Sequence, residues 1–208
     1  MAHDPKPDLQ DQFGEIDIYL FDQFLRGRIR PGMRLLDAGC GGGRNLVYAL
    51  RAGYDVFGCD ADASAIAAVR RLAARFAPHL PPDNFRVESV EQMTFPDACA
   101  DAVLASAVLH FAADDRQFLA MVTECWRVLR PGGLLFTRLA SSIGSEALVQ
   151  QIAGRRFRLP DGSDRYLVDA VLLEKVAADL KGTLVDPLKT TVVQNQRSMT
   201  TWVIRKPA

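Results

Sequence analysis

Residues 35 to 45 read LLDAGCGGGRN: two leucines and a carboxylate run into four glycines within five positions. Glycine has no Cβ and adopts backbone angles other residues avoid, so the chain can turn sharply here and let another group come close. The apolar run before it, MRLLDA (33–38), has the length of a short strand. RNLVYALRAG (44–53) after it reads as a short helix stopped by Gly53. A strand feeding a glycine-rich turn that opens a helix presents free backbone N–H groups to a ligand.

The same alternation continues downstream. YDVFGCD (54–60) is a second strand, and residues 63–77 form a helix that buries Ile66, Val69, Leu72 and Phe76 before Pro78. NFRVESV (84–90) and DAVLASAVL (101–109) are further strands, the latter continuously apolar as a buried parallel strand requires. In DDRQFLAMVTECWRVLRPGG, Asp114 caps an amphipathic helix with Phe118, Val122, Cys125 and Leu129 on one face. GLLFTRLA (133–140) is the fifth strand. Repeated βα units predict an α/β fold: a doubly wound, mostly parallel, Rossmann-like sheet of seven strands with helices on both faces.

The flanks complete that sheet. Phe13, Ile16, Leu20 and Phe24 fall near helical spacing, which predicts one N-terminal cap helix over 13–26, ended by GRIRPG. RRFRLPDGSDRYLV (155–168) reads as a hairpin around Pro160-Asp161-Gly162, and 169–182 as a helix between the Asp169 cap and the Gly182 stop. LKTTVVQNQRSMTTWVIRK (188–206) supplies two β segments, an antiparallel pair finishing the sheet. With no repeat or linker in view, residues 1–208 are read as one domain: the cap in 1–32, a ligand-binding core in 33–140 and a substrate-side segment in 141–208.

Composition limits the partners. Twenty-five basic side chains balance twenty-five acidic ones, so no global field favours nucleic acid or an anionic membrane. The opening MAHDPKPDLQDQ has no apolar core, which predicts no secretory signal, and no run of about 18 apolar residues occurs to span a membrane. Cys40, Cys59, Cys99 and Cys125 are widely spaced, with no C-x-x-C pair, so neither a metal site nor a disulfide framework is expected. A soluble, cytoplasmic chain follows. Arg26-Gly-Arg28-Ile-Arg30 and Arg155-Arg156-Phe-Arg158 are read as solvated surface, with room for a small anion near the second.

Two ligand classes use a glycine turn of this kind. A dinucleotide requires G-x-G-x-x-G, but Arg44 stands at the third small position and the pattern here is G-x-G-x-G. Asp37, two residues before the first glycine, would repel a pyrophosphate and attract a ligand carrying ammonium and sulfonium groups. Asp60, about twenty residues after the glycines at the end of the second strand, can accept both ribose hydroxyls of a nucleoside. Asp60 supports either class; Asp37 and Arg44 separate them.

Together LLDAGCGGGRN, Asp60, VEQMTFPDACADAVLASAVLHF and WRVLRPGG resemble the class I S-adenosylmethionine-dependent methyltransferases, most nearly the small-molecule enzymes of the ubiquinone-biosynthesis and tellurite-resistance types. The resemblance covers residues 33–140 closely. It implies S-adenosylmethionine as cofactor and methyl transfer to a small molecule. Asp37, Ala38, Gly39, Cys40, Gly41 and Gly43 would hold the methionine end, and Asp60 with Ala61 the ribose. Ser89, Val90 and Glu91 would lie beside adenine, and Ser106 beneath the sulfonium. Ser89 departs from the family, which often has an acid there to accept from the adenine amino group. The N/D-P-P-Y segment typical of methyltransferases acting on DNA bases is missing after the fourth strand, where the chain reads Ser106-Ala-Val-Leu109.

An acceptor would be met beyond the C-terminal strand ends. His110 is the best-placed titratable group, read either as catalytic or as a ring bonded to neighbouring backbone. Arg138 is read as a clamp for a substrate anion or as half of a structural ion pair. Tyr19 and Asp17 could cover the cofactor, with packing as the simpler role for Tyr19. Cys40 and Cys59 come near the ligand as packing residues. Two other functions stay open: a protein that holds the cofactor without catalysis, and a nicotinamide-dependent oxidoreductase.

Overall fold

In the computed structural model, which describes residues 8–208, β1 (Arg34–Ala38) is the axis of the sheet. Residues 1–7, part of the stretch from which no secretory signal is expected, lie outside the described residues. Two short helices, α1 (Leu9–Phe13) and α2 (Ile18–Leu25), precede β1. After it come α3 (Val47–Arg51), β2 (Asp55–Asp60), α4 (Ala63–Phe76), β3 (Phe85–Val87), β4 (Ala100–Ser106), α5 (Asp115–Val128) and β5 (Leu129–Ser141). The remainder is β6 (Gln150–Ala153), β7 (Arg156–Arg158), β8 (Asp164–Tyr166), α6 (Ala170–Asp179), β9 (Thr183–Leu184), β10 (Lys189–Val193) and β11 (Arg197–Arg205).

The main sheet runs β10-β11-β5-β4-β1-β2-β3, with the two-residue β9 beside β11. β1 to β5 pair in parallel, and β11 lies antiparallel between β5 and β10. The chain winds outward from β1 to β3, then crosses back to β4 on the other side of β1. That reversal opens a crevice at the C-terminal strand ends, where ligands of open α/β sheets bind.

Side chains alternate across the sheet with period two. Leu35 joins Leu20, Leu50 and Ile66 in one layer, while Leu36 joins Phe118, Val122 and Leu173 in the other. β4 repeats the rule, sending Ala102 and Leu104 to the first layer and Val103 and Ala105 to the second. A slip of one residue would exchange the two sets. Burial of each large aliphatic side chain contributes about 1.5–3 kcal/mol, so the paired cores fix the register of the strand ends that carry the site. No helix among the described residues is long and apolar enough to cross a membrane.

The expected single helix over 13–26 is shortened to Ile18–Leu25, with a separate helix, Leu9–Phe13, ending where the expected one begins. Gly14 turns to φ +62, and a Cβ there would lie 2.7 Å from Val47 Cγ2. Asp17 caps α2, its Oδ1 accepting from the N–H groups of Tyr19 and Leu20 at 2.9 and 3.4 Å. The periodicity survives the break because Ile16, Leu20 and Phe24 pack into one layer, and Phe13 reaches Phe21 and Tyr48 with ring centroids 4.8 and 5.5 Å apart.

Other boundaries move for local reasons. The first helix after the glycine turn shrinks to Val47–Arg51, leaving a longer loop. β4 stops at Ser106 because Ala107 adopts φ +64 and donates its N–H to the Arg138 carbonyl at 2.7 Å. The expected hairpin over 155–168 is β7–β8 of a three-stranded sheet. Its third strand, β6, is exposed along its whole length, so no apolar alternation marks it. β10 and β11 meet through a tight turn in which Gln194 and Asn195 take φ +48 and +55.

Candidate functional site

A cavity of about 770 Å³ opens over the C-terminal ends of β1, β2 and β4. That volume lies within the usual range for small-molecule sites. Its floor is the glycine loop. Asp60 and Ala61 form one wall, Ser89, Val90 and Glu91 another, and Ser106, Ala107 and Val108 a third; Phe111, Gln117 and Met121 close the far side.

The three glycines on the expected pattern divide into two kinds. A Cβ on Gly39 would stand 2.4 Å from Val108 Cγ2, and one on Gly43 2.8 Å from Val69 Cγ2. Both are needed for protein packing, one against the segment after β4 and the other against α4. Gly41 meets nothing within 4 Å and is the glycine whose missing side chain leaves room for a ligand. Its N–H does not point to a ligand but donates to Asp60 Oδ2 at 2.9 Å.

Asp60 Oδ1 accepts from the Asp62 N–H at 3.0 Å, so backbone donors on two sides hold this carboxylate. Each oxygen keeps a lone pair for another donor. Asp37 is different. It is buried beneath the loop and does not line the cavity, and neither of its oxygens has a hydrogen-bond partner among the described residues. Burial pushes its carboxyl up to about 7, with Arg44 pulling it down and Asp60 pushing it up. Ala38 is likewise buried and off the cavity surface.

Glu91 is fixed by Gln117, whose Nε2 donates to Oε1 at 2.8 Å. Ser89 makes no capping bond, which leaves its hydroxyl open to the cavity it lines. Cys40 lines the cavity while Cys59 does not. Burial pushes the Cys59 thiol up to about 12 and the Cys40 thiol higher still, so both are packing groups.

The expected acceptor residues lie in and around a second, smaller cavity of about 300 Å³, which shares Arg44, Ala107 and Phe111 with the first. His110 and Arg138 line it; Tyr19 lines neither. His110 is buried, and its Nδ1 accepts from the Ala140 N–H at 3.2 Å. Burial, helped by Arg165 and Arg197, depresses its pKa to about 4. The neutral ring therefore carries its proton on Nε2 and acts as a donor, and its bond to Ala140 is the backbone-bonded alternative of the sequence reading.

Arg138 is half of an ion pair. Its Nη1 donates to Asp17 Oδ2 at 2.8 Å. Asp17, 4% exposed, also takes the side-chain oxygen of Asn45 on its own N–H at 3.0 Å, so it ties α2 to β5 and to the glycine loop at once. Tyr19 packs at 5.4 Å from the Arg138 guanidinium, with its hydroxyl 2.8 Å from Thr191 Oγ1. Of the alternatives read from the sequence, the contacts match the ion pair for Arg138, which also lines the second cavity, and packing for Tyr19. Sequence reasoning missed Arg44, used there only to exclude a dinucleotide. Its two guanidinium nitrogens reach the Glu15 carbonyl at 3.3 Å and Ser106 Oγ at 3.4 Å. Phe111, shared by both cavities, gave no signal beyond following His110.

Residues 36–137 match the family described as "Methyltransferase domain". With the sheet order and the glycine loop, this match supports the class I S-adenosylmethionine-dependent methyltransferases as the class of this chain. Within that class it is similar to the ubiquinone biosynthesis O-methyltransferase of Sinorhizobium fredii (strain NBRC 101917 / NGR234), 34% identical over 162 residues, covering 74% of this chain and 63% of that protein. The counterpart from Chelativorans sp. (strain BNC1) is 30% identical over 172 residues, 76% of this chain and 64% of that protein. The chain thus spans less than two thirds of the length of these curated relatives. The fold is shared with Burkholderia thailandensis 1,6-didemethyltoxoflavin-N1-methyltransferase, solved with 1,6-didemethyltoxoflavin and S-adenosylhomocysteine. There the TM-score is 0.72 at 19% identity, over 97% of this chain and 82% of that one. It is also shared with the [4+2]-cyclase SpnF, with a TM-score of 0.69 at 18% identity over 92% and 81%. The fold alone therefore does not fix the chemistry.

Proposed function

We propose that this chain, acting as one domain over residues 1–208 in the cytoplasm, transfers a methyl group from S-adenosylmethionine to a small-molecule acceptor. The observation that carries this reading is Asp60, set by two backbone donors at the rim of a cavity whose floor is the open backbone of Gly41. The ubiquinone biosynthesis O-methyltransferases it is similar to support the same reaction class.

S-adenosylmethionine supplies, when bound, a methyl carbon on positively charged sulfur; an acceptor electron pair bonds to that carbon as the carbon–sulfur pair returns to sulfur. The chain's residues fit this cation. Asp60, with Ala61 beside it, accepts the ribose hydroxyls, while Ser89, Val90 and Glu91 frame the adenine and the Ser89 hydroxyl accepts from its amino group. Gly39, Cys40, Gly41 and Gly43 shape the bed for the amino-acid end. Asp37 acts from below, through its charge, and Ala38 through the strand end that positions it. Ser106, held by Arg44, faces the region of the sulfonium. Neutral His110 orients an acceptor by donating from Nε2. Aligning two reactants in a closed site can contribute roughly 7–11 kcal/mol, so a strong base is not required of this chain.

Incubating the protein with S-adenosylmethionine and a panel of phenols, carboxylates and thiols, and following S-adenosylhomocysteine release, tests the reading. Acceptor-dependent release supports it. Tight cofactor binding with no release across the panel would favour a protein that holds the cofactor without catalysis.

A further inference from the structure

The second cavity is rich in donors and poor in acceptors. Four arginines line it, Arg44, Arg138, Arg165 and Arg197, against one acid, Asp161. Asp161 is engaged at Oδ1 by the N–H and hydroxyl of Ser163 and also feels the charges of Arg197 and Arg165 without forming an ion pair with either, and Arg138 is paired with Asp17. In the neighbouring basic cluster Arg155 pairs with Asp169 and Arg158 with Asp164, while Arg156 reaches only the Ala112 carbonyl. Arg165 and Arg197, like Arg44, form no ion pair among the described residues, whereas Arg138, Arg155 and Arg158 each pair with a carboxylate. Arg165 is held in place all the same: its Nη1 donates to the Asp164 carbonyl at 2.7 Å, and its guanidinium lies 4.8 Å from the centre of the Phe111 ring. His110 adds a neutral Nε2–H to the same lining, because its other nitrogen is taken by backbone.

Two unpaired guanidiniums beside a buried donor make a site for an anion, because partial desolvation strengthens each charge-assisted bond. Phe111, 58% exposed at the junction of the cavities, offers an apolar face to the rest of such a ligand. We propose that the second cavity binds the carboxylate of a small anionic methyl acceptor, with Arg165 and Arg197 as its ion partners and His110 as a neutral donor. The body of the acceptor then extends over Phe111 toward Ala107, where the two cavities meet. That the occupant is the methyl acceptor rests on the proposed function; that the cavity prefers an anion does not.

The experiment is a titration with benzoate and, separately, benzamide in the presence of S-adenosylhomocysteine, followed by the His110 imidazole NMR signals. S-adenosylhomocysteine binding is measured by calorimetry alongside. Benzoate should bind at least about tenfold more tightly than benzamide, the worth of one partly desolvated ion pair. Arg165→Gln combined with Arg197→Gln should abolish that preference while leaving S-adenosylhomocysteine affinity within about twofold, and so should Arg197→Gln alone in part, since Arg197 is exposed. Arg156→Gln, outside the lining, should leave the preference intact. Equal binding of the two probes, no response to benzoate, or a preference that survives the double substitution overturns the proposal. Failure of S-adenosylhomocysteine to bind the unmodified protein instead overturns the methyltransferase reading and leaves the anion preference to be judged by its own arm.

Discussion

The two cavities share a border and are built in opposite ways. The larger is made of backbone and acids at the ends of consecutive strands: Gly41, Asp60, Ser89 and Ser106 all come from within residues 39–106. The smaller is made of long basic side chains from elements far apart in the chain, Arg44, His110, Arg165 and Arg197. The sheet fixes the first through twin hydrophobic cores. The second depends on loops and on a small sheet, β6–β7–β8, which reaches the main core through Tyr166 of β8, stacked on Phe118 at 4.8 Å, beside a minor cluster of Ala140, Leu159 and Leu167. On the proposed reading, cofactor recognition belongs to the ends of the central strands and acceptor recognition to loops and the small sheet beside them.

The strongest test of that contrast is Asp17, the residue that ties the N-terminal helices to both regions. Asp17→Ala removes a helix cap and strands Arg138 without its partner, and should cost about 3–5 kcal/mol in denaturant unfolding. Arg165→Gln, on the looser side, should cost less than about 1 kcal/mol in the same measurement. Comparable losses would erase the distinction.

The glycines sharpen it. Gly39→Ala drives a methyl group into Val108 at a left-handed backbone position and should destabilise by about 2–4 kcal/mol. Gly41→Ala bears only the backbone strain, about 1 kcal/mol, yet should weaken S-adenosylmethionine binding more than Gly39→Ala does once both are assayed folded. The reverse ranking in affinity would move the ligand's closest approach away from Gly41.

Titration gives a smaller, signed effect. Asp37 has a folded pKa of about 7, above its ordinary 3.8, so the stability tied to its protonated form is full below that ordinary value and is lost as pH rises through about 7. His110 runs the other way: depressed from 6.5 to about 4, it supports the fold above 6.5 and withdraws that support as pH falls through about 4. The two slopes oppose each other between about 4 and 7. Asp37→Asn should leave stability rising with pH across that window, and His110→Gln should leave it falling, each by about 1–3 kcal/mol in urea midpoints collected along a pH series. Identical pH profiles for the two variants would contradict both assignments.

The sequence makes the backbone-built region legible and the side-chain-built one largely not. Strand ends after apolar runs locate Asp60 and Ser106, because a parallel sheet carries consecutive strand termini to one edge. Glycine count could not say which glycine serves the ligand, since Gly39 and Gly43 answer to Val108 and Val69, which lie in other segments. The N-terminal break at Gly14 hid inside a helical periodicity that tertiary packing preserves. Arg165 and Arg197 drew no notice because their significance lies in missing partners. A pairing of alternation with charge could have raised Arg165: in Asp164-Arg165-Tyr166, Asp164 pairs with Arg158 while its neighbour points to the opposite face of β8.

Recognition of a cationic nucleoside by Asp60 is the claim on which the rest depends, and calorimetry with S-adenosylmethionine, S-adenosylhomocysteine and NAD on the unmodified protein and on Asp60→Ala tests it most directly. The unmodified protein should bind the first two and not NAD, and Asp60→Ala should lose roughly 2–3 kcal/mol, a 30- to 150-fold weakening, toward both adenosyl ligands. Binding of NAD in their place, or unchanged affinity in Asp60→Ala, would contradict it.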